Sequence, residues 1–181
     1  YAVTTGIQNT LIGSLAGDAL TDADYNVAIG TSALGADTLG SRAVAIGRNA
    51  LIAQNFTSAT NNYNVAVGYS AGAAVTTGYQ NVLIGGLAGD AITTGYYNVA
   101  VGTSALGGNT TGINNVAIGE GALKANTTAA NNTAVGYSAL LATTTGHSNV
   151  AMGADTLDAN TTGSANTSLG KGSMTTNTTG S

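Results

Sequence analysis

A glycine that returns at every seventeenth position is the feature that most constrains this chain. Ten such glycines close a short motif, as in Asn26-Val27-Ala28-Ile29-Gly30, and the spacing is the same at every step except one. They are Gly13, Gly30, Gly47, Gly68, Gly85, Gly102, Gly119, Gly136, Gly153 and Gly170. So short a period is typical of a solenoid, in which each coil buries its apolar face only against neighbouring coils. The repeat predicts one continuous array over residues 1–181.

The motif itself predicts a β-strand. Val27 and Ile29 share one face of such a strand and Ala28 lies on the other, since side chains alternate. Two interpretations of the small face are open: a thin coil with small residues inside, or close contact with another subunit. We favour the subunit contact, because Val and Ile would already fill the coil interior. The sequence thus predicts an all-β solenoid of about ten coils, with one coil for each repeat of the motif.

The rest of each repeat predicts the core and the corners. The fourth residue after the closing glycine is Leu or Met in seven coils and Gly in three, and in those three the seventh residue is apolar. Such volume-conserving exchange indicates that both positions fill the same core space. We expect a positive φ at the glycine of each Thr-Thr-Gly corner, such as Gly95. We also expect stacked asparagines, such as Asn81 and Asn98, to form a hydrogen-bonded ladder.

One step of the repeat, from Gly47 to Gly68, is longer than the others by four positions. The additional residues lie within Asn55 to Asn62, around Phe56, the only phenylalanine of the chain. A core strand cannot absorb such an insertion without losing its register, whereas a corner loop can. We therefore predict a loop that protrudes outward.

The composition narrows the classes of function. Charged residues make up 7% of the chain, the net charge is −4, and Lys and Arg together number four. No basic patch is available for phosphates, so we expect no nucleic-acid binding. The sequence has no cysteine and no apolar run long enough for a membrane-spanning helix. Because so low a charge density suits a surface covered by sister chains, and no initiating Met is present, we expect a fragment or the ordered part of a longer fibrous protein.

Few side chains suggest chemistry. We predict no catalytic, cofactor-binding or metal-binding residue: Asp22 and Asp24 form either a weak Ca²⁺ site or, more simply, a solvated corner, and His147 has no carboxylate partner at triad spacing. Aromatic residues at corners suit contact with a sugar ring or a protein surface, although they also suit shielding of the core. The predicted surface-contact residues are Tyr79, Tyr96, Tyr97 and Phe56.

The motif Asn26–Gly30, with Ala33 three residues further on, resembles the head repeat of trimeric autotransporter adhesins of the YadA type. It is also similar to repeats in bacteriophage tail fibres, and the resemblance covers all ten copies. The resemblance implies a left-handed parallel β-roll and three chains around one axis, at a bacterial cell surface or on a virion tail. The chain departs from the adhesin pattern in its longer period, and the additional residues coincide with the Thr-Thr-Gly corner.

From these features we expect an extracellular fibrous homotrimer, the head or shaft of an adhesin or tail fibre, that contacts a host-surface protein or glycan. One alternative is a self-assembling structural surface filament. Another is an ice-binding solenoid, which predicts Thr at alternate positions of a strand face, whereas the Thr residues here are adjacent pairs. An enzyme on this scaffold needs clustered carboxylates, and the eight Asp and Glu residues are scattered, so we predict no enzymatic activity.

Overall fold

The computed structural model describes residues 3–181, which form a parallel β-solenoid of about nine coils. Ten three-residue strands make one sheet, and each pairs in parallel with the strand of the next coil. They are β1 Thr10–Ile12, β2 Val27–Ile29, β4 Val44–Ile46, β6 Val65–Val67, β7 Val82–Ile84, β8 Val99–Val101, β9 Val116–Ile118, β10 Thr133–Val135, β11 Val150–Met152 and β12 Thr167–Leu169. A second, two-stranded parallel sheet contains β3 Gly40–Ser41 and β5 Thr60–Asn61. The predicted all-β solenoid is confirmed, although its ten strands make about nine coils where about ten were predicted.

The register places the closing glycines directly above one another. Val27 pairs with Val44 and Ile29 pairs with Ile46. Gly30 has a φ of 130°, and a Cβ atom built on it would lie 2.6 Å from the carbonyl carbon of Gly47. Only glycine combines this backbone conformation with so close an approach of two main chains. The recurring glycine of the motif therefore permits the close stacking of successive coils.

The two faces of the strands lie opposite to the prediction. Ala28 and Ala100 are fully buried inside the coil, whereas Val27 and Ile29 lie half-buried on the outer face. The prediction that Val and Ile fill the interior and Ala faces a subunit is therefore wrong, and the thin-coil interpretation is the correct one. The physical reason is that leucines such as Leu106 already occupy the interior opposite the strands. The space that remains on the strand side fits the methyl group of alanine better than a larger side chain.

The second half of each coil supplies the large apolar side chain of the core. Leu106 and most of its equivalents, four residues after the closing glycine, are fully buried. Where this position is glycine, the seventh residue after the closing glycine is buried instead, as at Ile92. A Cβ atom on Gly89 would lie 2.8 Å from Cδ1 of Ile92, so the two positions share one space, as predicted.

The glycine of the Thr-Thr-Gly corner has a different role from the predicted one. Neither Gly95 nor Gly112 has a positive φ, so that prediction is wrong. A Cβ atom on Gly95 would lie 2.6 Å from the carbonyl oxygen of Gly112, and glycine is therefore needed for the close approach of two coils. Positive φ occurs instead at the fifth residue before the closing glycine, as at Tyr97 (59°). It also occurs at the second and fourth residues after that glycine, as at Ser104 (54°) and Leu106 (56°).

The predicted asparagine ladder is confirmed. The backbone N–H of Asn98 donates to Oδ1 of Asn81 (3.1 Å), and Nδ2 of Asn98 donates to the carbonyl oxygen of the corner glycine in the next coil (2.9 Å). Most other coils repeat this arrangement. At Ala43 the ladder lacks an amide, and the N–H of Asn64 donates instead to Oδ1 of Asn62 (2.9 Å). Buried backbone donors are thus satisfied along the ladder, as a stable interior requires.

The insertion departs from the prediction in one respect. Residues 57–59 are exposed, in line with a loop that leaves the coil at a corner. The ring of Phe56, however, is only 7% exposed, so the predicted surface contact through Phe56 is wrong. The buried carboxylate of Asp37 accepts hydrogen bonds from the backbone N–H groups of Phe56 (2.9 Å) and Gly40 (3.1 Å). The bond from Phe56 holds its backbone against the preceding coil, while residues 57–59 reach solvent.

Candidate functional site

The tyrosines that the sequence predicts as surface contacts lie at the corner that precedes the asparagine ladder. We call the residues five before the closing glycines the corner column. Its members are Gln8, Tyr25, Arg42, Tyr63, Gln80, Tyr97, Asn114, Asn131, Ser148 and Ala165. The corner is bonded from coil to coil, since the N–H of Arg42 donates to the carbonyl of Asp24 at 3.0 Å. Coils that stack about 4.8 Å apart bring successive members of the column into contact.

Three of the four predicted contact residues form one cluster on this corner. The rings of Tyr79 and Tyr96 stack with centroids 4.8 Å apart and planes 6° from parallel. Tyr97 packs edge-on against both rings, at 5.6 Å from Tyr79 and 5.1 Å from Tyr96. Each offset or edge-to-face aromatic pair of this kind stabilises the structure by about 1 kcal/mol. The cluster therefore presents a fixed aromatic surface, of which Tyr97 is the most exposed part.

The cluster also changes the acidity of one hydroxyl group. Partial burial, followed by the neighbouring hydroxyls of Tyr97 and Tyr96, raises the pKa of Tyr79 above its ordinary value of 10.0. The phenol of Tyr79 is therefore protonated at neutral pH, and its hydroxyl group is hydrogen-bonded to that of Tyr97. An aromatic face with hydroxyl donors at its rim suits a hydroxyl-rich ligand better than an ion.

A second group on the same corner was missed by the sequence reasoning. The guanidinium carbon of Arg42 lies 4.7 Å from the ring centroid of Tyr25 and 6.0 Å from that of Tyr63. Its Nε donates to Oδ1 of Asn61 at 3.0 Å. The signal was present in the repeat alignment, which places Arg42 five residues before Gly47 and one coil from each tyrosine. The longer step of the repeat obscured it, because the insertion lies between Arg42 and Tyr63 and breaks their regular spacing.

A second surface is the outer face of the long sheet, which we call the outer stripe. It consists of the first and third residues of β1, β2, β4 and β6 to β12. Most of these are Val or Ile, and all are half-buried or exposed. Ile118 is 39% exposed and Leu169 is 76% exposed. The stripe continues from β1 to β12 without interruption by a charged residue. It is thus a long apolar surface in the isolated chain.

A polar depression of about 220 Å³ lies on another part of the rod. It is lined by Ser104, Glu120, Gly121, Lys124, Tyr137, Ser138 and Leu141. Gly121 widens it, since most other coils carry a residue with a side chain at this position. One carboxylate and one ammonium group share the lining, so the depression favours no ion of either sign.

The two acidic residues that the sequence suggests as a possible Ca²⁺ site accept hydrogen bonds from the preceding coil. Oδ1 of Asp22 accepts from Oγ1 of Thr5 (2.7 Å), and Oδ1 of Asp24 accepts from the N–H of Ile7 (2.8 Å). Both carboxylates thereby tie one coil to the coil before it. Across residues 3–181, no three His, Asp or Glu side chains lie close enough together to hold a metal ion. Nδ1 of His147 lies 3.3 Å from Oγ of the adjacent Ser148.

Comparison of the chain with protein-family models, with curated proteins and with solved structures gave no match. Within the described part of the chain, no helix has the length and apolar character needed to cross a membrane. The protein is therefore classified by its geometry, as a parallel β-solenoid whose coil is the repeat of the motif.

Proposed function

We propose that the chain is part of an extracellular fibrous protein that attaches to a host surface, as the head or shaft of a trimeric adhesin or tail fibre. Three copies lie side by side, with their outer stripes turned towards a common axis. The observation that carries the proposal is the outer stripe itself. The left-handed course of the coils is part of the proposal and follows from the resemblance to adhesin head repeats.

The outer stripe supports self-association because its exposure is costly. Soluble monomers rarely expose a continuous apolar surface of this length. Covering the stripe lowers the free energy by on the order of 25 cal/mol for each Å² of apolar area removed from water. The stripe also repeats in register, since each strand pairs with its equivalent in the next coil. Identical chains packed in parallel therefore match one another coil by coil, as a symmetric assembly requires.

The rest of the surface suits a passive scaffold. Charged residues are 7% of the chain, and the Thr-Thr-Gly corners add rows of hydroxyl groups. Nine steps of about 4.8 Å give the rod a length of roughly 43 Å. A trimer presents each corner three times, so weak contacts with a host surface combine into strong attachment.

The ice-binding alternative is less well supported. Oγ1 of Thr93 donates to the carbonyl oxygen of Thr110 at 3.1 Å, and the equivalent threonine of most coils makes the same bond. One hydroxyl of each Thr pair is therefore engaged within the rod. The second, as at Thr94 and Thr111, is exposed and forms a single row. Ice binding predicts thermal hysteresis, whereas the proposed function predicts none.

A pair of matched variants tests the proposal. Ile84→Asp with Ile118→Asp places two charges on the outer stripe, and Thr94→Asp with Thr111→Asp places two charges on an exposed corner. Neither pair changes the coil interior, so circular dichroism should show an intact solenoid for both. We expect the stripe variant to be monomeric and to lose attachment to host cells by about tenfold or more, because multivalency is lost. The corner variant should keep its trimeric mass. A stripe variant with unchanged mass and attachment would overturn the proposal.

A further inference from the structure

We propose that Arg42, Tyr25 and Tyr63 form a binding subsite for a carboxylate-bearing sugar of an acidic glycan. The inference deepens the proposed function and rests on it, because it names the ligand class of one corner of the attachment surface. The site lies on three successive coils of the corner column, apart from the Tyr79, Tyr96 and Tyr97 cluster in sequence.

The arginine is held in place but not neutralised. Nε of Arg42 donates to Oδ1 of Asn61 (3.0 Å), while Tyr25 and Tyr63 flank the guanidinium on successive coils. No carboxylate of the described residues forms an ion pair with it; the nearby Asp24 uses its Oδ1 to accept from the N–H of Ile7. The Nη groups of Arg42 likewise have no acceptor among the residues described. In a chain with only four cationic side chains, a fixed and unpaired guanidinium is a distinctive group.

The chemistry of the three side chains selects a carboxylated sugar. A guanidinium presents two parallel N–H groups to a carboxylate, a geometry that an ammonium group does not offer. Tyr25 is 45% exposed and Tyr63 is 49% exposed, so ring surface remains for the apolar C–H face of a pyranose. The phenol hydroxyls add donors and acceptors for sugar hydroxyl groups. One cation between two aromatic rings thus matches one carboxylate on one sugar ring.

A glycan fits the corner better than an acidic peptide does. A peptide with several carboxylates needs several cations, whereas the next members of the corner column are Gln80 and Tyr97, which are neutral. The depression of about 220 Å³ is lined by residues between Ser104 and Leu141, and Arg42, Tyr25 and Tyr63 are not among them. It therefore offers no groove for a peptide bound at Arg42. A glycan that carries carboxylates between neutral, hydroxyl-rich stretches matches the sequence of groups along the column.

Binding measurements on the assembled protein test the inference. The probes are 3′-sialyllactose and oligogalacturonate, with lactose and neutral galactose oligomers as their uncharged counterparts and polyglutamate as the acidic peptide. Arg42→Gln removes the guanidinium and keeps the fold, because Gln80 occupies the equivalent position one coil beyond Tyr63. Arg48→Gln is the matched control, since Arg48 lies 5.9 Å from a single ring, that of Tyr69.

We expect the unmodified protein to bind the carboxylated sugars about tenfold more tightly than the neutral ones, in the range of a charge-assisted contact. Arg42→Gln should abolish that preference and Arg48→Gln should preserve it. Equal binding by Arg42→Gln, or tighter binding of polyglutamate than of the sugars, would overturn the inference. If the protein is oligomeric and attaches to cells but ignores acidic sugars, the inference alone fails. If it binds acidic sugars as a monomer that does not attach to cells, the proposed function fails instead.

Discussion

Leu83 and Gly89 share one space inside the solenoid: a Cβ atom on Gly89 would lie 2.7 Å from Cδ2 of Leu83. Most strands carry alanine where β7 carries Leu83. The larger side chain is accommodated because the facing residue has none, and Ile92 fills what remains. A strand residue and a corner residue are therefore coupled through packing, although they lie on different walls of the coil.

This coupling predicts a strongly non-additive set of substitutions. Leu83→Ala alone leaves a cavity and should cost about 2–4 kcal/mol in the free energy of unfolding. Gly89→Leu alone overpacks the same space and should cost about 1–3 kcal/mol. Leu83→Ala, Gly89→Leu and Ile92→Asn together convert the coil to the pattern of the next one, with Ala100 and Leu106.

We expect the triple variant to recover at least half of the stability lost by Leu83→Ala, as measured by urea denaturation at one protein concentration. Coupled neighbours typically deviate from additivity by about 0.5–3 kcal/mol. If the stability lost by the triple variant equals the sum of the losses measured for Leu83→Ala, Gly89→Leu and Ile92→Asn separately, residues 83 and 89 do not share the space.

The closing glycines should tolerate no side chain. Gly102 has a φ of 131°, and a Cβ atom there would lie 2.7 Å from the carbonyl group of Gly119. Gly102→Ala should therefore destabilise the fold by about 3 kcal/mol or more, through strain and a main-chain clash. Gly86→Ala is the control, because a Cβ atom on Gly86 meets nothing within 4 Å. Thermal melts should separate the two variants widely, and similar melting temperatures would contradict the stacking of the coils.

The asparagine ladder predicts a contrast between two adjacent asparagines. Oδ1 of Asn115 accepts from the N–H of Asn132 (3.0 Å), and its Nδ2 donates to the carbonyl oxygen of Ala129 (2.8 Å). Asn115→Ser leaves these buried groups unpaired and should cost about 1–3 kcal/mol. Asn114 is exposed, and Ser148 adopts its conformation in a later coil.

Asn114→Ser should consequently change stability by no more than about 0.5 kcal/mol. The comparison is made by chemical denaturation of both variants beside the unmodified chain. Equal effects of the two substitutions would mean that the ladder contributes little to stability.

Asp90 predicts a dependence of stability on pH. Burial raises the pKa of its carboxyl group above the ordinary value of 3.8, although a backbone hydrogen bond acts in the opposite direction. A raised pKa in the folded state stabilises the protein at low pH, and that stabilisation is lost as the pH rises through the folded-state pKa. Asp90→Asn does not titrate, so relative to the unmodified protein it should be more stable at about pH 7 than at about pH 3. Melting curves that show the same difference at both pH values would contradict the burial of the charge.

The periodicity of the sequence predicted the stacking but not the sidedness of the coils. An equal spacing of the repeats places equivalent residues above one another, so the ladder from Asn81 to Asn98 could be predicted. The orientation of Val27 and Ala28 could not, because period-two alternation shows which residues share a face but not which face is inside when both are apolar. Packing across the coil decided it, in favour of the smaller side chain.

The candidate site was predictable only where equivalent residues keep the regular spacing. Tyr79 and Tyr96 are one period apart, and their stacking follows from the repeat. The contact of Arg42 with Tyr63 crosses the longer step, so its recognition depended on knowing where the insertion lies. Phe56 was misplaced for a related reason: its backbone N–H donates to the buried carboxylate of Asp37, which lies one coil earlier.

The mass of the assembled protein in solution shows whether sister chains cover the outer stripe, on which the proposed trimer depends. Sedimentation equilibrium over a wide range of protein concentrations gives this mass independently of the elongated shape. We expect a single species of three times 17.5 kDa. A single species of 17.5 kDa at every concentration would contradict it.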